Sequence, residues 1–187
     1  MLIQLITQHP QALGAIVQRT PTWVWGLLVA LLALGFSQLF NRKLTLRRVI
    51  IMPVAMLGMA LYGIFSAFGN GGQLTTVLLT WLIAAAASAA LMLRLATPVG
   101  TGYNARSSEF SVPGSSVPLL LILGIFVTKY AVGVELAMQP AQAVDTSFAV
   151  PVALLYGAFS GIFIGRALRL LKLWRIAQPQ ALKLNPS

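Results

Sequence analysis

Five apolar runs, each near the length of a bilayer crossing, punctuate this chain: about 21–40, 49–68, 74–95, 118–138 and 148–168. A hydrocarbon core ~30 Å thick takes roughly 20 helical residues to cross. The pattern predicts an all-α membrane protein with about five transmembrane helices in a single domain over 1–187. The boundaries carry their own chemistry. Thr20-Pro21 offers a hydroxyl cap and a proline where its missing N–H costs nothing, Gly69-Asn70-Gly71-Gly72 reads as a tight turn, and Pro151 suits a first helical turn.

Both flanks are amphipathic. Leu2, Leu5, Ile6, His9, Leu13, Ile16 and Val17 recur at near-helical spacing, with Gln4, Gln8, Gln11 and Gln18 between them. No basic residue precedes this run and it has no long apolar core, so it differs from a signal peptide and predicts a retained interfacial helix over 1–19. His9 is then a surface or headgroup residue. At the other end, Arg166, Arg169, Lys172, Arg175 and Lys183 interleave with Leu168, Leu170, Leu171, Leu173 and Trp174. That predicts a basic amphipathic tail over 169–187, resting on anionic lipid at the cytoplasmic face.

Between Ala96 and Val117 the residues turn to Gly, Ser, Thr, Pro, Asn and Tyr. Thr101 to Asn104 and Glu109 to Val112 can pair as a small hairpin across Ala105-Arg106-Ser107-Ser108, or the interval is an irregular loop; the sequence leaves both open.

Composition supports the membrane reading and charge gives it a direction. The chain is 58% hydrophobic and 9% charged, which a fully hydrated surface of this size does not accommodate. The net charge of +10 sits at the ends of apolar runs, without the basic face of a nucleic-acid binder. Arg42, Lys43, Arg47 and Arg48 crowd one linker, Arg94 ends the third run, and the tail is basic, whereas 69–72 is neutral and the linker with Asp145 is weakly acidic. By the positive-inside rule this predicts a multi-pass bacterial inner-membrane protein, amino terminus periplasmic and carboxyl terminus cytoplasmic.

Zero cysteines exclude disulfides, thiolate metal sites and thiol redox catalysis, and a single histidine excludes paired imidazole ligation within one chain. The sequence implies no metal and no cofactor. It shows no paired catalytic aspartates, no His-Glu-x-x-His and no nucleophile with its base, so no catalytic residue is assigned.

Lys129 and Glu135 share the fourth run, and ionisable groups at depth are costly unless paired or solvated. Six positions put them about 9 Å apart along a helix and ~120° around it, so each needs its own surroundings. Lys129, near the middle, calls for a polar partner on another helix or water; Glu135, near the outer end, is expected to be exposed. Tyr130, Tyr103 and Arg94 complete the candidate functional or buried polar residues. Gly157, Gly161 and Gly165 form a Gly-xxx-Gly-xxx-Gly ridge, and Ala84 to Ala90 offers a smooth face for close helix approach. Whether the ridge packs within or between subunits stays open at this point.

The stretch GTGYNARSSEFSVPGSSVPLLLILGIFVTKYAVGV, with the opening MLIQLITQHP and the later LLYGAFSGIFIGRALRL, resembles a family of small bacterial inner-membrane proteins known only as a domain of unknown function. There is also a faint likeness to CcdC-type membrane proteins. The resemblance spans nearly the whole chain and implies a bacterial, multi-span protein without transferring a mechanism. The sequence thus leads to a non-enzymatic membrane component, a subunit of a larger complex or a homo-oligomer. The alternative is a small oligomeric transporter or channel using Lys129 and Glu135.

Overall fold

The computed structural model describes Gln18, residues 20–105 and residues 107–184, with side chains as far as Ala177. The interfacial helix predicted over 1–19, with His9, lies outside the described residues except for Gln18, and so do Arg106 and the side chain of Lys183.

In chain order the elements are α1 (Thr22–Ser37), β1 (Arg42–Thr45), α2 (Leu46–Phe68), α3 (Leu74–Arg94), β2 (Gly102–Asn104), β3 (Glu109–Val112), α4 (Val117–Met138), a 3-10 turn (Pro140–Val144) and α5 (Thr146–Leu184). Four of these helices, α2 to α5, are long and apolar enough to cross a membrane. The first predicted span is shorter: α1 has 16 residues, about 24 Å at ~1.5 Å each. It runs beside α4, with Leu119 packed against Gly35 and the Thr20 hydroxyl bonded to that of Tyr130. Above Tyr130, α4 continues to Met138. The predicted fifth span and the basic tail form one 39-residue helix, so the tail leaves the bundle as a continuation of α5.

The core gathers where α2, α3, α4 and α5 converge near the 69–73 turn. Ile64 and Phe68 of α2, Val77 and Trp81 of α3, Val132 of α4, and Ala149, Val152, Ala153 and Tyr156 of α5 are all buried there. At this turn end Gln73 bonds the carbonyl of Ala143 and accepts from the Thr146 hydroxyl, both at 2.8 Å, tying the turn to the start of α5.

The opposite end carries a three-stranded antiparallel sheet in the order β1-β3-β2. The predicted hairpin is present, with Gly102, Tyr103 and Asn104 opposite Ser111, Phe110 and Glu109. Its turn places Ser108 at φ 54°, and the Ser107 amide donates to the Asn104 side chain. The third strand was not foreseen: Arg42 to Thr45, read as a basic loop, pairs with Val112 to Glu109. Alternation gives the sheet a covered face of Arg42, Leu44, Phe110, Val112 and Tyr103, with Phe110 fully buried against Tyr103 at 4.8 Å between rings. Lys43 lies on the other face, 3.6 Å from Glu109. The PGSSVP stretch follows β3. Gly114 lies so close to the backbone of Leu39 and Phe40 that a Cβ has no room, and its amide donates to Asn41 at 2.9 Å.

Candidate functional site

The glycine ridge is consumed inside the chain. A Cβ on Gly157 would strike the Trp81 carbonyl and Ala84; on Gly161, the Ala85 carbonyl and the Ser88 hydroxyl; on Gly165, Met92 and Ala89. The alanine-rich face of α3 is therefore the partner of α5, one glycine per turn meeting one turn of the other helix. Ser88 returns its hydroxyl to the Ala84 carbonyl at 2.6 Å, so the seam leaves this polar group satisfied.

Lys129 lies on the other side of the bundle, and its side chain crosses from α4 towards α2. The ammonium donates to the Met59 carbonyl at 3.4 Å and stands 5.0 Å from the centre of the Tyr156 ring. A helical carbonyl keeps a second lone pair after its own helix bond, which is what Met59 offers. The ring adds a cation–π attraction. Room for the ammonium comes from Gly63, whose missing side chain leaves a niche: a Cβ there would lie 2.7 Å from the Lys129 nitrogen. The partner expected on another helix is thus a backbone carbonyl, assisted by an aromatic face.

Around this niche the structure opens. A small cavity of about 30 Å³ lies among Met56, Met59, Ala60, Lys129, Tyr156 and Ser160. Beside it an open groove of about 880 Å³ lies between α1, α2 and α4, bordered by Trp23, Leu27, Met56, Ile125, Lys129 and Val134 among others. Its α4 wall extends from Ile122 to Met138, about 24 Å at ~1.5 Å per residue. The side chains with polar groups on the wall are Lys129, Tyr130, Thr20 and Trp23. Tyr130 bonds Thr20 at 2.5 Å and stacks on Phe126 at 6.2 Å, which fixes its ring.

The other candidate residues lie apart from this site. Glu135 is 5% exposed, contrary to the expectation of exposure. It falls on the inward side of α4 with Val132, where the 3-10 turn and α5 pack over that end of the helix. Tyr103 packs in the sheet, and Arg94 is exposed on the last turn of α3. The sequence did not reveal the roles of Gly63 and Tyr156. Both read as ordinary residues of apolar helices, and the signal joining them to Lys129 is spatial.

No curated protein and no solved structure matches the chain. The family comparison is positive: a model described as a family of unknown function (DUF6622) matches residues 1–181. The match takes in α1 to α4, the sheet, the residues around Lys129 and α5 as far as residue 181, and the chain belongs to that family.

Proposed function

We propose that this chain is a non-enzymatic component of the bacterial inner membrane whose working site is the groove beside Lys129, and that the groove holds an amphiphile with a long hydrocarbon chain and a small anionic or polar head. The carrying observation is an apolar groove of about 880 Å³ with one ammonium on its wall. That volume lies within the ~300–1,000 Å³ of small-molecule sites, which are mostly apolar with a few placed polar groups. The hydrocarbon would lie along Leu27, Leu31, Ile122 and Ile125, and the head would meet Lys129 and Tyr130.

A single-site transporter using Lys129 and Glu135 together has less support, because Glu135 does not line the groove and lies on another side of α4. Homo-oligomerisation loses the glycine ridge as an argument, since α3 occupies it; a larger membrane complex would be built on the remaining faces of the bundle. The absence of cysteine keeps thiol chemistry of the CcdC-type likeness out of the proposal.

The test is binding of a spin-labelled long-chain fatty acid to the protein in maltoside. Saturable binding near one per chain is expected, weakened ~10-fold in Lys129→Met, a change of about 1.4 kcal/mol. The melting temperature of this variant should hold or rise, as an apolar side chain of similar length replaces a half-buried charge. Equal affinity in both proteins, or uptake that never saturates, would reject the proposal. The proposed orientation has its own check: a carboxyl-terminal reporter should be active in the cytoplasm, and activity only in the periplasm would reverse it.

A further inference from the structure

At the sheet end three arginines gather, and among the described residues no carboxylate balances them. Arg166 is half-buried, with the like charges of Arg42 and Arg169 as neighbours. Arg166 and Arg169 are three positions apart on α5, hence on neighbouring parts of one helical face. Arg42 comes from β1. The whole chain has only three acidic residues. Glu109 is engaged with Lys43, whose side chain lies on the face of the sheet opposite Arg42, while Glu135 and Asp145 belong to the turn end. Among the described residues, then, no carboxylate compensates the cluster, which leaves it open to an anionic ligand.

Two buried polar atoms point to the same place. Among the described residues, the buried side-chain atoms with no hydrogen-bond partner are Arg42 Nε, Thr101 Oγ1 and Trp81 Nε1. The tryptophan belongs to the bundle core. The other two are related by the sheet register: Arg42 is opposite Val112 on one side of β3, and Thr101, one residue before Gly102, continues the β2 register to Val112 on the other. Residues in one cross-strand row share a face, here the covered one beside α5, which packs against β2. A buried donor left unpaired is costly, so two in one row call for an acceptor. Arg169 fixes the third side, donating to the carbonyls of Met92 and Ala96 at 3.3 and 2.7 Å and so anchoring α5 to the end of α3. Burial pulls the Arg42 guanidinium below its ordinary value, from a starting point so high that it stays charged.

We infer that Arg42, Arg166 and Thr101, with Arg169 beside them, form a phosphate-binding site at the sheet end of the bundle. Guanidinium groups bind phosphate through paired N–H donors, and the hydroxyl supplies one more. A tetrahedral phosphate has enough oxygens for all of these donors, whereas a carboxylate has two. The site is distinct from the groove: ten residues of α5 separate Arg166 from Tyr156, about 15 Å along the helix. The phosphate has two possible sources, the headgroup of a phospholipid or a soluble phosphorylated molecule, and the chemistry is common to both.

The experiment uses the full chain in maltoside, which carries no phosphate, with phosphatidylglycerol and inorganic phosphate as separate probes. Native mass spectrometry counts retained lipid, and a melting curve follows each titration. Arg166→Gln and Thr101→Val should each lower retention or the melting shift several-fold, Arg166→Gln more, while Arg47→Gln, at an exposed arginine on the first turn of α2, should match the parent. Thr101→Val keeps every charge and so separates a built site from a general basic surface. A response to phosphatidylglycerol alone assigns the lipid, and a saturable response to inorganic phosphate at millimolar levels assigns a soluble ligand; both support the site. No response to either probe, or equal losses in Arg47→Gln and Arg166→Gln, overturns it.

Discussion

Two seams of this bundle are built on opposite principles. Between α3 and α5 the facing residues are glycine, alanine and serine, and backbones approach until no Cβ fits at Gly157, Gly161 or Gly165. Between α1, α2 and α4 most of the lining residues are large, among them Trp23, Leu27, Met56, Ile125 and Phe126, and beyond the Gly35–Leu119 contact the helices part to leave the groove. In lipid, large apolar side chains gain little by leaving hydrocarbon for protein, whereas a smooth helix face gains close dispersion contacts that lipid does not provide. Along these two seams, small residues in register on both helices mark the locked contact, and large ones line the open space.

The sharpest way to break the contrast is to put bulk into the locked seam. Gly161→Leu forces α5 off the Ala85 carbonyl and Ser88, and should destabilise at or beyond the ~1–3 kcal/mol typical of overpacking. Ile162→Leu, next in sequence, should stay within ~1.5 kcal/mol as a volume-conserving change. Melting curves with light scattering in one detergent compare the two, and parent-like behaviour of Gly161→Leu would remove the seam from the argument.

Gly63→Val tests the junction of the two regions. Its extra atoms fall where the Lys129 nitrogen now sits, 2.7 Å from a Cβ at that position. The tip of a lysine is flexible, so the stability cost should be about 1 kcal/mol, at the low end of overpacking. Fatty-acid binding should fall towards that of Lys129→Met. Retained affinity would mean that the ammonium does not need its niche.

The smallest effect should come from Gly133→Ala on the open side. A Cβ there meets nothing within 4 Å, and alanine in a helix is favoured over glycine by ~0.5–1 kcal/mol. A slight rise in melting temperature is expected. A fall like that of a seam glycine would show that the groove closes in solution.

The apolar runs made α2 to α5 legible because crossing length and end charges are local properties. The hairpin was half legible: its strands show in composition, but the choice between strand and loop depends on β1, a partner far away in sequence. Arg42 to Thr45 has no alternation strong enough to announce a strand, and its extended form follows from pairing with Glu109 to Val112. The glycine ridge declared close packing, but its partner had to be seen. Glu135 was misjudged because distance from a helix end says nothing of what folds back over it; the 3-10 turn and α5 do so. At Lys129 the need for a partner followed from burial cost. Its identity as a main-chain carbonyl could not follow from side-chain spelling, since every residue carries one.

The sheet also imposes an order in time on assembly. Arg42 pairs with Val112, yet at ~5–20 residues per second the ribosome delivers Val112 several seconds after Arg42. Through that interval two further helices are made while the backbone donors and acceptors of β1 are left to water. The strand between α1 and α2 thus gains its partner only after α2, α3 and the hairpin have been synthesised.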